Sequence, residues 1–142
     1  MKVQCISKEL TSDQKRRMGM SSERNPAFDL TIGREYIVLG VSFLVHSTFF
    51  GSTTVVEVQE DHKSYCTSIP LCLFRITDPR PSPSWIAESD KDMTFRLWPS
   101  EFYAEYFHDD LTEGSEEAKI AFSHVMGRLS AESDAPVGSD PS

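Results

Sequence analysis

Glu35-Tyr36-Ile37-Val38-Leu39-Gly40-Val41-Ser42-Phe43-Leu44-Val45 decides the fold class. Its odd positions, Ile37, Leu39, Val41, Phe43 and Val45, are uniformly apolar, while the even positions mix Tyr36, Val38, Gly40, Ser42 and Leu44. Period-two patterning of β-branched and aromatic residues predicts a strand with its odd face toward a core. Gly40 marks a bend or bulge within it. Thr31-Ile32-Gly33-Arg34 reads as the turn before it. His46 to Ser52, which contains Gly51, reads as a hairpin connection to a second strand, Thr53 to Gln59. In that partner the alternation places Thr54, Val56 and Val58 inward and Val55, Glu57 and Gln59 outward.

Working outward, Lys2 to Ile6 is a short first strand, and Thr11-Ser12-Asp13-Gln14 is a capped polar helical turn or a loop. Ser21 to Pro26 is rich in breakers and reads as loop. Leu71 to Thr77 is a further strand, with Cys72, Phe74 and Ile76 on its core side. Asp78 to Ser84 carries three prolines and must be loop. Trp85–Glu88 and Met93–Trp98 form a hairpin in which Met93, Phe95 and Leu97 face inward. Helical periodicity appears only from about Ser115 to Leu129, where Ala118, Ala121, Phe122, Val125 and Leu129 fall on one stripe. The pattern predicts an α+β domain over residues 1–130, a small antiparallel, curled or barrel-like sheet followed by one helix. Residues 131–142, rich in Ser, Asp, Pro and Gly, are expected to be a flexible acidic tail.

Charge narrows the function classes. The formal net charge is −8, yet residues 1–100 balance 12 acids against 12 bases. Residues 101–142 hold ten acids against Lys119 and Arg128, so the whole excess lies there. A negative field repels phosphate, which argues against nucleic-acid binding and favours a basic protein partner. The longest apolar stretch, Tyr36 to Val45, is too short to span a bilayer, and the first eight residues lack the apolar core of a secretory signal. A cytoplasmic protein that does not bind membranes is therefore expected.

Chemistry-bearing patterns are sparse. Cys5, Cys66 and Cys72 have no disulfide-framework spacing, and no four-ligand zinc pattern accompanies them, so reduced thiols and no metal or cofactor are expected. Cys72 is expected to be core and Cys66, beside Tyr65 in a turn, to be exposed. A nucleophilic cysteine would need one of His46, His62, His108 or His124 as its base. Asp109-Asp110 reads as a loop or capping pair. No phosphate-cradling glycine motif is present, and an enzyme is not expected. What stands out is Trp98, Phe102, Tyr103, Tyr106 and Phe107 interleaved with Glu101, Glu105, Asp109 and Asp110. Aromatic anchors among acids suit a surface that accepts basic side chains.

Two of these stretches carry a resemblance. Leu30-Thr31-Ile32-Gly33-Arg34-Glu35-Tyr36-Ile37-Val38-Leu39-Gly40 resembles the opening strand motif of small SH3-like bacterial immunity proteins encoded beside polymorphic or contact-dependent growth inhibition toxins. Trp98-Pro99-Ser100-Glu101-Phe102 resembles the end of their sheet. The long Asp78–Ser84 loop and the polar tail depart from that pattern. The resemblance implies an SH3-like barrel without catalytic machinery that binds and blocks a cognate toxin domain, commonly a basic nuclease. The contacts would be Glu101, Tyr103, Glu105, Tyr106, Asp109, Asp110 and Glu113. Two alternatives stay open: a phage- or plasmid-borne SH3-like adaptor that binds a host protein, and a small thiol enzyme using Cys66 with a histidine. Nothing in the sequence fixes an oligomeric state.

Overall fold

The computed structural model describes residues 1–134. The chain runs β1 (Lys2–Cys5), α1 (Ser12–Met18), β2 (Glu35–Ile37), β3 (Gly40–Ser47), β4 (Gly51–Gln59) and β5 (Cys66–Pro70). A 3₁₀ turn at Leu71–Leu73 leads into β6 (Phe74–Asp78), then β7 (Trp85–Ser89) and β8 (Phe95–Pro99). A second 3₁₀ turn, Ser100–Tyr103, precedes α2 (Phe107–Glu113) and α3 (Glu116–Asp134).

The α+β class holds, but the strands form two open antiparallel sheets rather than one closed barrel. One has the order β2-β1-β6 and the other β5-β4-β3-β8-β7. The stretch from Glu35 to Val45 is not a single strand. It leaves the first sheet after Ile37 and joins the second at Gly40, with Val38 and Leu39 fully buried at the crossing. Both faces are covered at the start of β3, and the cover ends after Ser42. Gly40, Val41 and Ser42 are buried, whereas Phe43, expected inside, is 41% exposed and Val45 is exposed too. Phe43 packs instead against Phe95 across the β3–β8 pairing, ring centroids 5.7 Å apart. That cross-strand pair covers the outer sheet face.

Strand β4 also departs from simple alternation. Val55, Val56, Glu57 and Val58 are all buried, so both faces of its second half are covered. Leu71–Leu73 is a 3₁₀ turn rather than the start of a strand, which leaves Cys72 exposed and Leu73 buried. Ile76 and Phe95 are also exposed, and Met93, expected inward, is 75% exposed in the turn before β8. Cys66, expected in an open turn, is buried on β5.

One core joins the two sheets and α1 through Val3, Met18, Tyr36, Val56, Ile69 and Phe74 among others. Thr11 caps α1 with its hydroxyl on the Gln14 N–H, and the Gln14 side chain returns to the Thr11 N–H. This reciprocal capping box satisfies two otherwise orphaned donors. A second core lies under α2 and α3, where Leu39, Phe102, Phe107 and Leu111 meet Ala118, Phe122, Val125 and Leu129. The predicted helical stripe is thus the buried one, although α3 continues to Asp134, past the expected boundary at residue 130. The rest of the expected tail, residues 135–142, lies outside the described residues.

Polar clamps fix α3 in place. Arg128 Nη1 and Nη2 donate to Glu101 Oε2 and Oε1 at 2.8 and 2.9 Å. Ser82 and Ser84 hydroxyls both donate to the Glu132 carboxylate at 2.6 Å, tying the proline loop to the helix. Arg80 bridges Asp78 and the Ser133 carbonyl.

Two outcomes follow from this packing. Gly51 has φ of 71°, and a Cβ there would lie 2.1 Å from the Met18 carbonyl oxygen. Gly51→Ala therefore combines left-handed strain with a backbone clash and should cost about 3 kcal/mol in urea unfolding. The Arg128 guanidinium holds the Glu101 carboxyl down to about 2. An unfolded Glu titrates near 4.3, so this pair stabilises the fold above roughly pH 5 and is lost as pH falls toward 2. Arg128 is 40% exposed, and solvent screening limits the contribution to about 1 kcal/mol. Glu101→Gln should lower the urea midpoint at pH 7 and converge on the native protein near pH 2.

Candidate functional site

The segment from Ser100 to Gly114 builds the candidate site. Phe107 and Leu111, four residues apart, point α2 into the second core. His108 also turns inward, toward Glu57. Tyr106, Asp109, Asp110 and Glu113 are all exposed and spaced by three and four residues, so they form one stripe. Asp109 and Asp110 therefore lie within a helix rather than in the expected loop. Glu105 is exposed immediately before the stripe. Among the described residues, none of Glu105, Asp109, Asp110 or Glu113 makes an ion pair with a Lys or Arg of this chain.

Two expected contacts behave differently. Glu101 is held by Arg128 and serves the fold. The Tyr103 hydroxyl is committed to Ile86 and Arg96 carbonyls, at 2.6 and 3.2 Å. Burial pushes that phenol up from its ordinary value. Tyr106, by contrast, is 67% exposed and sits at φ 60° in the left-handed region. For a bulky non-glycine residue that conformation costs roughly 1–2 kcal/mol.

A cleft of about 400 Å³ opens beside the stripe, with Glu88, Asp90, Trp98, Tyr103, Tyr106 and Asp109 in its lining. Arg96 enters it but is neutralised by Asp90 at 2.6 Å and stacks over Trp98, 5.1 Å from the ring centre. Trp98 donates from Nε1 to the Ser42 hydroxyl at 3.1 Å, and its ring lies 4.9 Å from that of His108. Gly40 makes room for it, since a Cβ there would meet Trp98 Cδ1 at 2.6 Å.

Trp98 and His108 also line a second cleft, of about 490 Å³, on the inner side of α2. Its floor holds Glu57, Cys66 and His108, whose donor atoms all lie within 4.8 Å of one another. Burial and the neighbouring Glu57 carboxylate push the Cys66 thiol well above its usual range. That environment works against a thiolate nucleophile. Sequence reasoning placed Glu57 outward and Cys66 in a turn, and so missed this group. The run Val55-Val56-Glu57-Val58 carried the signal, because uninterrupted apolar character around a strand position marks burial on both faces.

Among the described residues, no helix is long and apolar enough to cross a membrane. No family model, curated protein or solved structure matches this chain.

Proposed function

We propose that the protein is a binding module that presents the Tyr106–Asp109–Asp110–Glu113 stripe to a basic protein, and that it acts as an immunity protein neutralising a basic nuclease toxin. The observation that carries the reading is that these carboxylates are gathered on one helix face and, among the described residues, left without cationic partners. Like charges three and four residues apart destabilise a helix by about 0.2–0.5 kcal/mol per pair. Glu113 at the C-terminal end of α2 also opposes the helix dipole. A basic partner would offset both penalties, and the negative field would speed the encounter. Tyr106 supplies an aromatic anchor beside the acids, and Glu105 extends the charged rim. The toxin-neutralising role itself rests on the resemblance in Leu30–Gly40 and Trp98–Phe102, which also supplies the SH3-like ancestry.

The thiol-enzyme alternative finds Cys66 and His108 close together, but the protonated, buried thiol favours the binding reading. The host-adaptor alternative would bind a host protein through exposed aromatics, of which Tyr106 is 67% exposed.

Co-expression with the toxin domain encoded beside its gene should rescue growth and yield a complex that survives gel filtration. Combined Asp109→Lys, Asp110→Lys and Glu113→Lys reversal should weaken that complex by about a hundredfold or more while leaving the circular dichroism spectrum unchanged. Unchanged affinity would remove the stripe from the interface, and a stable complex with a basic host protein but not with the toxin would favour the adaptor. Tyr106→Gly should separate function from stability. It relieves the left-handed strain, so the unfolding free energy should stay level or rise by about 0.5–1 kcal/mol, while binding weakens.

A further inference from the structure

Glu57 is an anomaly in β4, an interior strand of the larger sheet. Its side chain is 3% exposed, two residues before the end of β4, and no Lys or Arg among the described residues pairs with it. Buried carboxylates are normally paired with a cation or bound to a metal. The Ser68 hydroxyl donates to Glu57 Oε1, and Oε2 lies 4.0 Å from His108 Nε2. That nitrogen is itself buried and has no hydrogen-bond partner among the described residues. A buried imidazole nitrogen left without a partner is costly and calls for an explanation. Cys66 Sγ, from the neighbouring strand, completes the group.

We propose that Cys66 Sγ, His108 Nε2 and a Glu57 carboxylate oxygen form a three-ligand site for a zinc-class divalent cation, with the fourth position open to the inner cleft. Donors around a tetrahedral zinc stand about 3.3–3.8 Å apart, given bonds of 2.0–2.3 Å. Small side-chain rotations close the present separations of up to 4.8 Å to that spacing. A thiolate, an imidazole and a carboxylate select zinc over calcium or magnesium, which prefer all-oxygen shells. Outer-shell support is in place. Ser68 orients the carboxylate, and the His108 ring is wedged between Trp98, Phe102 and Phe107, with centroid distances of 4.9, 5.2 and 5.4 Å. Binding would transfer the Cys66 thiol proton to solvent and let two anionic ligands neutralise the cation's charge. The open position, facing the cleft that also holds Ser68 and Thr112, would take water or a small anion. This site shares no residue with the outward stripe.

The test is titration of the chelator-stripped full chain with cobalt(II) and with zinc. One equivalent of cobalt should produce a near-ultraviolet thiolate-to-metal charge-transfer band, and zinc should displace it. Cys66→Ser should abolish the band, whereas Cys72→Ser and Cys5→Ser should keep it. His108→Gln and Glu57→Gln should each weaken zinc binding by at least about tenfold. Because His108 is partly exposed, His108→Gln carries the test if the Cys66 variant does not fold. Absence of stoichiometric cobalt uptake, a band that survives Cys66→Ser, or native zinc affinity in a folded His108→Gln would each overturn the site.

Discussion

A carboxylate buried within the larger sheet constrains everything built above it. Glu57 sits between Val56 and Val58 on β4, paired with Gly40 of β3 on one side and Ser68 of β5 on the other. Placing an acid there is expensive unless its oxygens find partners. The sheet therefore has to present polar side chains at that point, and it does so with Ser68 and with Cys66 two residues away on β5. The layer above must then cover a polar spot in an otherwise apolar face. It does so with His108 rather than with another aliphatic residue.

That requirement explains the shape of the segment between β8 and α3. A seven-residue helix is too short to persist by itself, because nucleation costs more than so few hydrogen bonds return. Helix α2 is held by tertiary anchors instead: Phe107 and Leu111 in the apolar core and His108 over Glu57. Its start is forced, since Tyr106 adopts a left-handed conformation to turn the chain into the helix. Gly114 at φ 89° closes the far end and redirects the chain into α3. Helix α3 then locks over the assembly through the Glu101–Arg128 pair and the seryl contacts to Glu132.

How much of this was legible in the sequence depended on whether a segment buries one face or two. Strand β1 and the apolar stripe of α3 follow simple periodicities, and their positions could be read from residue type, as could the place of the Trp85–Pro99 hairpin though not its inward face. Glu35–Val45 could not, because its alternation is continuous while its partners change between Ile37 and Gly40. Residues Phe43 and Val45 keep the apolar pattern beyond the point where the core stops covering β3, since Val41 on the same face is buried. Cys66 and Cys72 exchanged roles for a related reason. A 3₁₀ turn at Leu71–Leu73 rotates side chains by a third of a turn per residue, so strand parity does not carry through it. The acidic stripe was legible as composition but not as geometry. Residue types gave the acids and aromatics, whereas only helix formation across Phe107–Glu113 separates Glu101, bound to Arg128, from Asp109, Asp110 and Glu113, which have no ion-pair partner among the described residues.

The two faces of α2 are consequently parts of one arrangement. His108 points inward from the same turn that aims Asp109 and Asp110 outward, and Trp98 and His108 border both clefts. Rotation of the helix by one position would bury Asp109 or Asp110 and withdraw His108 from Glu57 together. The inner contact thereby fixes the rotational setting of the helix, which in turn fixes how the outer acids are displayed. A ligand that tightened the inner group would stiffen the outer surface without touching it, lowering the ordering cost of any partner that docks there. The same coupling runs in reverse, because a partner gripping the stripe would hold His108 over the buried carboxylate.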